Sequence, residues 1–217
     1  MRALVAHDEV AHRRALDRYV ALLRDARDTR TAYEAVRARV PRSVSAEEDA
    51  WTRCREAAHR TPDVILVGTR VAPEELPAWG GVPYAVTYLE WEAHHAAEWT
   101  RHAKRWSTKQ HLIRRLAVPD HTPETRERLV DLIESVVQRR HRCKDREYSH
   151  VARAVDGEDL RVRLSKIRDS GQPWARDQAG HVLWLLHHPL VPINRANWFR
   201  WLAEHGTGAD PTHPTPG

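Results

Sequence analysis

Glycine is absent from residues 1–67 and again from residues 82–156. Over such lengths few positions can take left-handed backbone without steric cost, so tight hairpin turns are scarce and helix is the favoured local structure. Helix starts are marked as well. Thr31 with Glu34, Ser45 with Glu48 and Ser107 with Gln110 each have capping-box spacing, and Thr122 precedes Pro123 at a first helical position. These signals predict helices near 6–27, 31–40, 46–60, 89–106, 108–117, 123–139, 143–155, 158–169, 174–187 and 194–204. The expected class is an all-α bundle of about ten helices, one domain over 1–205.

One run breaks the pattern. Residues 63–68, DVILVG, are short, apolar and branched, and read as a buried strand. Residues 82–88 are either its partner or the first turns of the next helix, and VAPEELPAWGG between them is loop. The end of the chain, 206–217, has nothing to bury and is expected to be disordered.

Residues 160–188 pair two amphipathic segments across Ser170-Gly171. Val162 or Leu164 with Ile167 face Ala179, Val182, Leu183 and Leu186. This resembles a single HEAT-type helical hairpin, a unit that in arrays implies a concave binding surface; no second copy follows.

No apolar run approaches the length of a membrane span, and MRALVAHDEVAHRR reaches acid and histidine before any apolar segment. The expectation is a cytoplasmic protein with no membrane partner. Two cysteines are too few for a disulfide framework and read as reduced packing residues. Walker, Gly-x-Gly-x-x-Gly, Gly-x-Ser-x-Gly and His-Glu-x-x-His patterns are all missing.

The formal charge is +5, with 31 arginines against four lysines. Together with abundant alanine, this reads as GC-rich, bacterial coding. It also suits anionic partners, since the guanidinium fork matches phosphate and stacks on rings. Two clusters stand out: Arg139, Arg140, Arg142, Lys144 and Arg146, and Arg101, Lys104, Arg105 and Lys109. The first functional expectation is therefore a nucleic-acid-binding accessory or regulatory protein that places these residues on phosphates.

A second expectation comes from residues 89–106, LEWEAHHAAEWTRHAKRW. On one continuous helix, Trp91, His95, Glu98, Trp99, His102 and Trp106 share an arc of about 100°. Glu92, His95, Glu98 and His102 there, with Glu147, His150, Asp177 and His181 elsewhere, are imidazole and carboxylate groups at one-turn spacings. Such sets bind iron, manganese or zinc, which would make the chain a non-haem oxidase or hydrolase. The alternative for the stripe is a polar seam in the core. A third function is a protein-interaction module without chemistry. Sequence leaves enzyme or non-enzyme, substrate and oligomeric state open.

Overall fold

The structure, a computed structural model, describes residues 2–6, 8–39, 41, 43–68 and 71–207. Among these, eleven α-helices and three short 3-10 helices form, and no strand does. They group into two compact units, Met1–Arg70 and Val71–Gly217, where the sequence reading drew one domain. No helix among the described residues is long and apolar enough to cross a membrane. Of the expected disordered tail, Thr207 is bonded to Asp177, and residues 208–217 lie outside the described residues.

In the first unit, α1 (Glu9–Arg37) and α2 (Val44–His59) form a helical hairpin. It is preceded by a 3-10 turn at Arg2–Val5 and followed by α3 (Pro62–Gly68). The Asp8 carboxylate accepts from the Val10 and Ala11 amides and starts α1. The helix boundary expected near Thr31 does not occur. Glu34 instead pairs with Arg30 one turn back, and α1 runs straight through. Ser43, not Ser45, caps α2 by accepting from the Ala46 amide. Tyr33 packs on Trp51 with ring centroids 5.3 Å apart, and Arg60 pairs with Asp25 at 2.8 Å.

The expected β element is helical in both halves. Residues 63–68 lie in α3, and 82–88 lie in α4 (Val82–His94). A strand needs a partner for its backbone groups, and once 82–88 turns helical the DVILVG run has none. Prolines open both helices, where the missing amide is no loss. The alternation seen at 82–88 misleads because α4 is buried around most of its circumference. Val82, Ala85, Val86, Thr87, Tyr88, Leu89, Trp91 and Glu92 are all buried.

In the second unit α4 contacts α6 (Trp106–Leu116) and α7 (Pro123–Gln138). Thr122 caps α7 as its sequence indicated. The short α8 (Tyr148–Ala154) lies on α6. Helices α9 (Glu158–Ser170) and α10 (Pro173–His187) form the expected hairpin on α7. Leu160, Leu164 and Ile167 face inward while Val162 is 60% exposed, which selects Leu164 between the two sequence alternatives. Finally α11 (Arg195–His205), capped by Asn194, closes on α10.

The α10–α11 contact depends on one missing side chain. A Cβ placed on Gly180 would lie 2.9 Å from the Trp201 ring. Replacing Gly180 by leucine should therefore cost about 1–3 kcal/mol through overpacking. A urea titration should find a lower midpoint with an unchanged slope.

Candidate functional site

The segment expected to be one helix over 89–106 is three. α4 ends at His94, α5 spans Ala96–Ala103, and α6 begins at Trp106. His95, at the break, has φ −118° and ψ 51°, outside the helical region. The break is held by two arginines from a distant loop. Arg139 Nη1 donates to the Glu92 and Ala93 carbonyls at 3.1 and 3.4 Å. Arg142 Nη1 donates to the Glu92 carbonyl at 3.2 Å, and its Nη2 to Ala96 O and Thr100 Oγ1 at 3.2 and 2.6 Å. Carbonyls left without amide partners at the helix end are thus satisfied by guanidinium groups.

The same arginines belong to a buried charge network. Lys109, with no exposed surface, places Nζ 2.5 Å from Asp145 Oδ1 and 3.2 Å from Glu92 Oε2. It also sits over the rings of Trp106 and Tyr148, at 5.6 and 5.7 Å from their centroids. Arg139 Nη2 donates to Glu92 and Asp145, both at 2.8 Å, and Arg142 Nη1 lies 3.0 Å from Glu92 Oε1. The Arg142 amide donates to Asp145 Oδ2 at 2.7 Å. Burial alone would lower the Arg139 pKa, but Asp145 and Glu92 outweigh it and raise it. Three cations and two carboxylates leave this cluster with one excess positive charge.

The nine cations assigned to phosphate therefore divide. Lys109, Arg139 and Arg142 are structural, and assigning them to phosphate is corrected: their charged groups hold carboxylates and helix ends together. Arg101, Lys104 and Arg105 are exposed at the end of α5 and in the segment after it. Lys144 takes left-handed backbone, φ 69°, in the turn that brings Asp145 back to the Arg142 amide. Arg140 lies over Trp174 at 5.1 Å, and Arg146 over Trp198 at 5.7 Å.

Of the eight candidate metal ligands, His95 and Glu98 bring ligand atoms within 4.8 Å of each other, but among the described residues no third one of the eight joins them. Glu92 is held by three cations. Glu98 accepts from the Trp91 indole, so the stripe carries at least one structural bond of the seam type. His95 occupies the helix break and His102 sits partly exposed near the end of α5. Glu147 accepts from Gln110 and Arg114, and His150 stands 3.7 Å from it, beyond hydrogen-bond reach. Asp177 accepts from the Thr207 amide and hydroxyl. His181, one turn on, instead lies among Trp184, Trp198 and Trp201, with centroids 6.0, 4.9 and 5.5 Å away.

A cavity of about 30 Å³ opens between the charge network and this aromatic cage, bordered by His141, Arg146, Tyr148, Ser149, Gln178 and His181, among others. The Tyr148 hydroxyl and His181 Nε2 are buried beside it without hydrogen-bond partners among the described residues. Burial pushes the Tyr148 pKa well up, and Glu92 and Asp145 add to this. Arg146, half-buried, has its pKa lowered by burial and by nearby Arg195. Arg195 in turn lies over Phe199 at 5.2 Å.

Sequence reading missed Asp145, His141, Tyr148, Trp174, Arg195 and Trp198. Only the unusual pairing of many arginines with nine tryptophans could have pointed to the last three. No known protein family matches this chain, nor does any curated protein or solved structure.

Lys109→Met leaves two buried carboxylates sharing fewer cations and should destabilise the fold by about 3–5 kcal/mol, measurable by chemical denaturation. Burial, with nearby arginines, also pushes the pKa of both His141 and His181 down to about 4. Between that value and about 6.5, the unfolded chain binds more protons than the folded one. Stability should then be complete above about pH 6.5 and fall as pH drops toward 4, by up to about 3 kcal/mol per histidine. His181→Gln should lose less stability between pH 7 and 5 than the wild type.

Proposed function

We propose that this protein binds single-stranded nucleic acid without chemistry of its own, through the face formed by the 139–147 loop and the starts of α10 and α11. The observation that carries this reading is a set of three arginines each lying over an aromatic ring: Arg140 on Trp174, Arg146 on Trp198 and Arg195 on Phe199. Arg140 and Arg146 lie on the same loop, Arg146 and Arg195 are close enough to repel, and His141, Gln178 and Trp198, from the loop, α10 and α11, border one cavity. Phe199, Arg140 and Arg195 are exposed, while Trp174 and Trp198 are half-buried.

An arginine held flat on a ring offers phosphate a fixed fork and offers a base a stacking edge. Asp145, the carboxylate that acts on Arg146, is already held by Lys109 and Arg139, so it does little to cancel the field of this face. α5 is tied to the same loop by Arg142, and Arg101 near its end and Lys104 and Arg105 just after it lie beyond the tie. The Arg-rich face thus has both components of sequence-independent single-strand binding, charge and rings.

Fluorescence anisotropy of a labelled oligothymidylate should reveal binding whose log affinity falls linearly with log salt, at a slope of about −0.7 per phosphate contacted. Arg140→Ala should weaken binding and make that slope shallower by roughly one contact. Trp174→Ala should cost about 1–3 kcal/mol with the slope kept. Affinity that is indifferent to salt and to both changes would refute the reading.

A further inference from the structure

Helix α6 has two different faces. Thr108, Lys109, Leu112, Ile113 and Leu116 are buried toward the interior. The opposite face presents Ser107, Gln110, His111, Arg114 and Arg115, at the i, i+3, i+4, i+7, i+8 spacing of one helical side. These five side chains form one wall of a cleft of about 370 Å³, whose other boundary is apolar: Val71, Pro73, Leu76 and Val118. That volume is within the range of small-molecule sites, roughly 300–1,000 Å³.

The polar wall carries donors, and Glu147 engages two of them, Gln110 and Arg114. Among the described residues, no carboxylate lines the cleft itself. Arg114 is fixed by Glu147, which accepts from its Nε at 2.8 Å and its Nη2 at 3.2 Å. Arg115 is held over the Trp79 ring at 4.7 Å. Trp79 can fold back there because residue 81 is glycine: a Cβ at that position would lie 2.1 Å from the indole. On the same wall, His111 Nε2 is buried with no hydrogen-bond partner among the described residues. Burial, with Arg115 adding, lowers the His111 pKa, so the imidazole is neutral near pH 7 and can give or take one hydrogen bond.

We propose that this cleft binds a small organic anion, an apolar body carrying one carboxylate, phosphate or sulfonate group. The apolar side, Val71, Pro73, Leu76 and Val118, would cover the body. Arg115 would take the acidic group, with His111 Nε2 and the Ser107 hydroxyl fixing its orientation. The site is separate from the arginine–tryptophan face and does not depend on nucleic-acid binding.

The test uses the full chain and 1-anilinonaphthalene-8-sulfonate, a fluorescent anion with an apolar body. The probe should bind at one equivalent with enhanced emission. Octanoate should displace it, and octylammonium should not, since it shares the tail and reverses the charge. Two variants locate the site: Arg115→Met removes the cation and keeps the stem, and Ser107→Trp fills the cleft from its exposed edge. Each should lower probe affinity at least 10-fold while circular dichroism stays native. If one variant fails to fold, the other still decides. Absence of one-to-one binding, displacement by octylammonium as effective as by octanoate, or a native Ser107→Trp protein that binds the probe normally would overturn the proposal.

Discussion

The second unit is organised around an ammonium group with no access to water. Lys109 Nζ is shared by Asp145 and Glu92 and covered by two aromatic rings. Removing such charges from water is costly, and mutual attraction offsets the cost only when geometry and additional hydrogen bonds are both favourable. Here they are. Arg139 and Arg142 surround the two carboxylates and use their remaining N–H groups on the carbonyls at the α4 break. One cluster therefore fixes the end of α4, the start of α5, an inward position of α6 and the 139–147 loop. An apolar core could supply comparable stability, but it would not set the direction of a loop whose only regular structure is a 3-10 turn at Asp145–Glu147.

That loop in turn determines what reaches the surface. With Arg139 and Arg142 turned inward, Arg140 falls on Trp174 and Arg146 on Trp198. Gln178 reinforces the arrangement by donating to the Arg139 carbonyl at 3.0 Å, and Trp174 reaches Gln138 O at 3.4 Å. Arginine thus serves two physical roles within a few residues: helix-end cap inside, ring-stacked fork outside. The same division appears along α6. Lys109 belongs to the interior network, while the helix's opposite face supplies the donor wall of the cleft.

Much of the local structure was legible. Thr122 before Pro123, the α9–α10 hairpin across Gly171 and the inward Leu164 and Ile167 all rest on short-range patterns that tertiary contacts reinforced. Other local signals were overridden. The Thr31–Glu34 spacing fits a cap, but Glu34 has a better partner in Arg30 inside a continuous helix. The alternation at 82–88 fits a strand, yet a helix buried on nearly every side produces the same apolar run. The single helix expected over 89–106 breaks at His95 and again at Lys104 and Arg105, and Glu92, expected as a metal ligand, is instead at the centre of the charge network.

The sequence alone determined the helical class, most helix starts and the excess of arginine, because caps, prolines and periodicity act within a few residues. Only the tertiary structure decided which arginines are internal and which meet solvent. The partners of the internal ones are remote: Lys109 and Asp145 are 36 positions apart, Arg139 and Glu92 are 47, and Arg142 and the Glu92 carbonyl are 50. A buried charge is stable only beside its counter-charge and its hydrogen-bond partners, and no local pattern records where the fold will bring them.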